Sequence, residues 1–301
     1  MKFRSLAASV VALSLALTAN AQQVADPNFD TKVAKPTYDR DGPRVLFDEA
    51  HNNFHTATGR YKPFADLITS DGYRVTPNQQ KFTRDLLKGY DILVIANALG
   101  APSLGAPEAT NPAFTEEECD AVRDWVRAGG SLLLIADHAP VGAANANLGK
   151  RFGVEMSNAY TLDPANTIPE DNNPGFIVYT RERGLMPHPV TDGRSAEERV
   201  GRVIAFTGQS LKGPADSFAF MRLADTALDA VPNTEQRTSA AGRAQGLAIK
   251  FGRGRVVVMG EAAMLSAQLA GPNKLPFGMN RPGTDNRRLA LNILHWLSRK
   301  I

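Results

Sequence analysis

Two short runs in the sequence have no polar side: Asp91-Ile92-Leu93-Val94-Ile95-Ala96, and Ser131 through Ala136. A strand with one face in water alternates apolar and polar residues, so an unbroken apolar strand must be covered on both faces. Between the two runs lies a helix pattern. Thr115 and Glu118 have capping-box spacing, Cys119, Val122 and Val126 form an apolar stripe, and Gly129-Gly130 closes it. The same alternation appears upstream. Arg44–Asp48 reads as a buried strand, and Arg60 to Ser70 as a helix with Phe64, Leu67 and Ile68 on one face. Tyr73-Arg74-Val75 begins a second strand, and a short helix around Thr83 to Lys88 leads to the third. Strand and helix in alternation predict an α/β fold, a mostly parallel sheet with helices on both faces.

From Met156 to Arg199 the pattern breaks into Pro, Asn, Asp and Gly, which reads as an irregular insertion over 156–199. Val203 to Phe206, Phe220 to Ala224, Gln245 to Phe251 and Arg255 to Met259 then resume the sheet. Gly252-Arg253-Gly254 is too short for a crossover, so the last two strands form a late antiparallel hairpin. An amphipathic helix, about Asp285 to Arg299, ends the chain with Leu289, Ile293, Trp296 and Leu297 inward. No internal repeat is present, and 43–301 reads as one domain.

The first residues read as a leader. Lys2 and Arg4 precede an apolar run from Leu6 to Leu17, and Ala19-Asn20-Ala21 makes a small-x-small cleavage site before Gln22. The run is shorter than the roughly 20 residues that span a bilayer, and no later stretch approaches that length. The expectation is a signal peptide over 1–21 and a periplasmic or secreted protein without a membrane span. Gln22 to Gly42, polar and punctuated by proline, reads as a tether. The chain carries 34 Lys and Arg against 31 Asp and Glu. Without Lys2 and Arg4 it is nearly neutral, which argues against nucleic acid as a partner. Cys119 is the only cysteine. It cannot form an internal disulfide, and its place on the apolar stripe makes it a core residue.

The strands of a parallel sheet end at one edge, where ligands bind. The residues that follow each strand are therefore the candidates. They are Asp48, Glu49, His51, Asn52 and His55 after the first, Asn97 after the third, Asp137 and His138 after the fourth, and Glu261 after the last. Asp137 and His138, on a corner before Pro140 and Gly142, are expected to be catalytic as an acid–base pair, with Asp48 and Glu261 beside them. His51, Asn52, Asn97 and His188 are expected to bind substrate. A divalent metal is left open, with His51, His55, Asp48 and His138 as candidate ligands. Each residue also has a plainer role. Asp48 can cap its loop and Glu261 the following turn. His51 and His55, four apart, share a face only on a helix, and Thr56-Ala57-Thr58-Gly59 reads as loop. His188, in Pro187-His188-Pro189, either reaches the site from the insertion or sits in solvent, and His295 beside Trp296 is structural. The sequence has no G-x-S-x-G, no H-E-x-x-H, no P-loop and no dinucleotide fingerprint, so no nucleotide cofactor is expected.

The stretches VLFDEAHNNFH, YDILVIANA, FTEEE with WVRAGGSLLLIADHAP, HPV, FTGQSL, RVVVMGEAAMLSAQ and NRRLALNILHWL, in that order, carry a resemblance. Over roughly Arg44 to Ile301 the chain resembles the class I glutamine amidotransferase-like superfamily in its flavodoxin-like form. More narrowly it resembles an exported bacterial family related to gliding-motility and intraflagellar-transport type domains and to trehalose-utilisation-like proteins. In the amidotransferases a nucleophilic Cys follows the strand that matches Ser131 to Ala136. Here Asp137-His138 stands in that place. Neither side chain can form the thioester of glutaminase chemistry, so that activity is not expected. The relatives imply a small polar or carbohydrate ligand. Two functions follow: a hydrolase-like enzyme working through the Asp/His cluster, or a non-catalytic module that binds glycan or cell envelope.

Overall fold

The two apolar runs lie side by side and parallel in the middle of a nine-stranded sheet. The computed structural model describes residues 23–39, 41–168 and 175–301. The leader expected over 1–21 falls outside them. The strands up to the middle of the chain are β1 (Val24–Ala25), β2 (Arg44–Asp48), β3 (Arg74–Asn78), β4 (Ile92–Ala96), β5 (Ser131–Ile135), β6 (Glu155–Met156), β7 (Tyr160–Leu162) and β8 (Phe176–Thr180). Those that follow are β9 (Arg202–Phe206), β10 (Leu211–Lys212), β11 (Phe218–Arg222), β12 (Leu228–Ala230), β13 (Arg237–Ser239), β14 (Ala244–Phe251), β15 (Gly254–Met259), β16 (Ala267–Ala270) and β17 (Leu275–Gly278). The helices are α1 (Lys62–Ser70), α2 (Arg84–Lys88), α3 (Glu116–Arg127), α4 (Val141–Lys150), α5 (Pro189–Asp192) and α6 (Asn286–Leu297).

The large sheet runs β3-β2-β4-β5-β15-β14-β10-β6, with β11 also on β14. β3, β2, β4, β5 and β15 are parallel. Taken in chain order these five are arranged second, first, third, fourth, fifth, the flavodoxin-like order, with its switch point between β2 and β4. β14 and β15 form the expected hairpin, in register from Gly246↔Met259 to Phe251↔Gly254, around Gly252 at φ 57°. Alternate side chains of the strands go to opposite faces. Val45, Phe47, Val94, Leu133 and Met259 pack with Phe64 and Ile68 of α1 and Leu289, Ile293 and Leu297 of α6. Leu46, Leu93, Ile95, Leu134 and Val258 pack with Leu87 of α2, Val122 and Val126 of α3, and Leu148 of α4. Cys119 is fully buried in this second layer, and burial pushes its thiol up to about 12. It is a core residue.

Three expectations change. Val203 to Phe206 does not rejoin the large sheet: β9 pairs with β8 in a separate two-stranded ribbon. On its other edge the Asn286 side chain accepts from Ile204 N at 3.0 Å and donates to Ile204 O at 2.8 Å, so no strand can pair there. The stretch 156–199 is not irregular throughout, since it holds β6, β7, β8 and α5. Nor do the described residues of the presumed tether hang free. β1 joins β16, and Phe29, Val33 and Tyr38 pack on the core. Thr37 N donates to Asp71 Oδ1 at 2.7 Å, while the Thr37 hydroxyl and Asp71 Oδ2 both meet His295 Nε2, at 2.8 and 2.7 Å. His295 is structural, as expected. The segment looks like a tether because its polar side chains bond its own backbone, as Asp26 does with Asn28 N and Asp30 with Lys32 N.

Candidate functional site

Four loops leave the same edge of the parallel strands, and Asn97 ties three of them. This residue takes a left-handed backbone, φ 51°, which asparagine tolerates better than most side chains. Its N–H donates to Ile135 O, its carbonyl accepts from Phe54 N, and its Oδ1 accepts from Asp137 N at 3.1 Å. Asp137 is fixed further by Gln209 Nε2, which donates to its carbonyl at 3.0 Å, and by its own Oδ1, which accepts from His138 N at 2.7 Å. His138 Nδ1 lies 2.8 Å from Ala139 O. A carbonyl can only accept, so Nδ1 carries the hydrogen, and in the neutral ring Nε2 is the acceptor. The ring stacks on Tyr160, centroids 4.3 Å apart.

Glu261 follows β15 and is fully buried. Oε1 accepts from Ala263 N at 2.6 Å and Oε2 from Met264 N at 2.8 Å, so the side chain does cap the turn after it. It also lines the same pocket as Asp137 and His138. Burial, and then the nearby Asp137 carboxylate, raise Glu261 well above the usual carboxylate range despite backbone N–H bonds from Met264, Ala263 and Phe206. His55 completes the group: it is buried, its Nδ1 has no hydrogen-bond partner, and burial with Arg60 and His138 nearby pulls it down to about 3. The pocket thus collects Asp137, His138, Glu261, His55 and Asn97, walled by Phe54, Phe206, Phe277 and Gln268. Its volume is about 40 Å³. A single water needs on the order of 10–15 Å³, whereas ligand pockets usually hold about 300–1,000 Å³, so one functional group fits.

Other candidates lie elsewhere. Asp48 and His51 are not in the pocket; they form a closed ion network with Glu118. His51 Nδ1 meets the two Asp48 oxygens at 2.9 and 3.0 Å, and Nε2 meets Glu118 Oε1 at 2.9 Å. The ring lies between Phe82 and Phe114, centroids 4.8 and 4.7 Å away. Both carboxylates accept, so both ring nitrogens donate, and His51 is an imidazolium with nothing left for a substrate or a metal. Burial opposes that charge, but Asp48 and Glu118 outweigh it and hold His51 above its ordinary range. Glu118 is held below its range: burial pushes up, but N–H bonds from Thr115 and Phe82 and the His51 charge prevail. Asn52 is exposed, at φ 50°, with Nδ2 reaching Leu99 O, and does not line the pocket. His188 does not line it either. It stacks near Phe218, Phe220 and Trp296, accepts from Val190 N at the start of α5, and is lowered to about 4 by burial. The four metal candidates fall in two separate pairs, Asp48 with His51 and His55 with His138, and among the described residues no group of three or more His, Cys, Asp or Glu could hold an ion.

Glu118 was missed as a site-shaping residue because the capping box already accounts for it; Thr115 and Glu118 do exchange both bonds, at 3.2 and 3.0 Å. Phe54, Gln268 and Gln23, which also line the pocket, carry no local signal.

No protein-family model matches the chain, and none of the curated proteins does. Solved structures are similar. The mmIFT52 N-terminal domain is 14% identical with a TM-score of 0.59, covering 85% of this chain and 97% of its own. The likeness is one of fold alone. A cytoplasmic protein from Salmonella typhimurium (13% identity, TM-score 0.49, 85% and 98% covered) and a ThuA-like protein from Parabacteroides merdae (14%, 0.44, 86% and 91%) resemble it more loosely and carry no argument. No helix of the described residues is long and apolar enough to cross a membrane.

Proposed function

We propose that the pocket is the active centre of an acid–base hydrolase that works on one small polar group of its substrate. One observation carries this: a fully buried carboxyl raised by burial and by Asp137, and an imidazole fixed through its Nδ1, line the same pocket. In the proposed reaction the carboxyl is the acid and the imidazole the base. His138 Nε2 takes a proton from water, the water oxygen attacks, and Glu261 gives its proton to the departing group. Asp137 orients the water and keeps Glu261 protonated. Glutaminase chemistry finds no support, since Cys119, the one thiol, is buried in α3 with a raised pKa. Carbohydrates are the substrate class implied by the resemblance to trehalose-utilisation-like proteins.

The test is a screen of the purified protein against chromogenic glycosides and esters, with His138→Ala and Asp137→Ala alongside. Turnover that both variants abolish supports the proposal, and turnover that both retain overturns it. The small volume favours a second reading, a binding module that seats one group of a glycan. Stoichiometric binding without any product would select it. The leader further supports export. Intact-mass measurement of protein recovered from cells should give a chain starting at Gln22, and a retained Met1 would refute processing.

A further inference from the structure

The pocket is too small for a whole substrate, and part of its wall comes from Gln23, the residue just before the N-terminal strand. Gln23 lines it together with Phe54 and His55. The Gln23 carbonyl accepts from Arg60 Nε at 3.1 Å, and the Arg60 guanidinium lies 4.0 Å over the Phe54 ring. The next two residues are β1, which pairs with β16 through Val24↔Leu269 and Ala25↔Gln268. Val24 is 52% exposed. Immediately beyond, the chain is fixed. Asp26 N donates to Ala267 O, and Asp26 Oδ2 accepts from Asn280 Nδ2 at 2.9 Å. A two-residue edge strand with few buried contacts belongs to the least stable parts of a fold. Its latch is also costly, because Arg60 Nη1 is buried without a hydrogen-bond partner.

We propose that β1 is a gate over the pocket: it peels from β16 about the anchored Asp26, Gln23 and Arg60 move with it, and the opened pocket admits substrate to His55 and Glu261. Gln23 and Arg60 then determine what enters. This rests on the pocket being the functional site, but its test needs no substrate. Diethyl pyrocarbonate transfers an ethoxycarbonyl group to a neutral imidazole nitrogen and releases ethanol and carbon dioxide. The low pKa of His55 keeps it neutral, so its labelling rate, read by peptide mass mapping, reports access.

The protein beginning at Gln22 should label slowly at His55. Arg60→Ala, and deletion of residues 22–25, should each speed labelling by about tenfold or more by favouring the open form. Val24→Cys with Leu269→Cys joins residues that are paired across the strands, which suits a disulfide. Its oxidised form should label more slowly than the parent and recover on reduction. His295 and His51, buried in their own ion pairs, must stay unlabelled, which certifies an intact fold. Equal His55 rates in all four proteins overturn the gate. A protein without turnover that shows the ordered rates loses its proposed reaction and keeps its gate; turnover with equal rates does the reverse.

Discussion

His138→Ala should lower kcat by about 10²–10⁴-fold, the usual share of a positioned acid or base. The fold should change little, because His138 is half-buried and its losses are one bond to Ala139 and the stack on Tyr160. The pH profile tests the partner. Glu261 must hold its proton to act as the acid, so the rate should fall on the alkaline side as pH rises through its raised pKa. Burial is the first cause of that rise and Asp137 the second. Asp137→Asn removes the second, so the alkaline limb should move to lower pH. A limb that stays in place would mean that another group is the acid. Glu261→Gln, which preserves the shape, should remove the limb altogether.

The largest loss of stability is expected from His51→Ala. It leaves Asp48 and Glu118 buried without their common cation, and breaking a buried ion pair in this way costs about 3–5 kcal/mol. Urea unfolding should show this as a lower midpoint at an unchanged slope. The pH dependence has two limbs of opposite sign. His51 is raised in the fold, so its contribution is complete below the ordinary imidazole range and fades as pH climbs through the raised value. Glu118 is lowered, so its contribution is complete above the ordinary carboxylate range and fades as pH falls through the lowered value. The alanine variant should lose the alkaline limb. An unfolding free energy within about 0.5 kcal/mol of the parent, the range of a surface change, would contradict the network.

What could be read from the sequence was local, or followed from the common direction of the strands. The apolar runs, the Thr115–Glu118 box and the Gly252 hairpin each declare themselves within a few residues. Asp137, His138 and Glu261 were placed on one edge because parallel strands all end there. The rest depends on encounters far along the chain. His51 and Glu118 are 67 residues apart, and nothing near His51 distinguishes a bound imidazolium from a ligand. His55 reads from the sequence as a candidate metal ligand on a loop, and its burial depends on Phe54 and Tyr61 against its ring. Val203 to Phe206 is equally apolar in a sheet or a ribbon, and only the Asn286 amide decides between them. Polar composition hid the docking of residues 23–39, because a few side chains such as Phe29 and Thr37 do the holding.

The knot of Thr37, Asp71 and His295 has a consequence for how the molecule comes together. His295 lies 258 residues after Thr37 and 224 after Asp71, and closing loops of that length is slow. The earliest part of the body to leave the ribosome is thus among the last to be secured, since its clasp sits on the final helix. A chain cut short before α6 would keep its strands and the pairing of β1 with β16, and would lose the His295 half of that clasp.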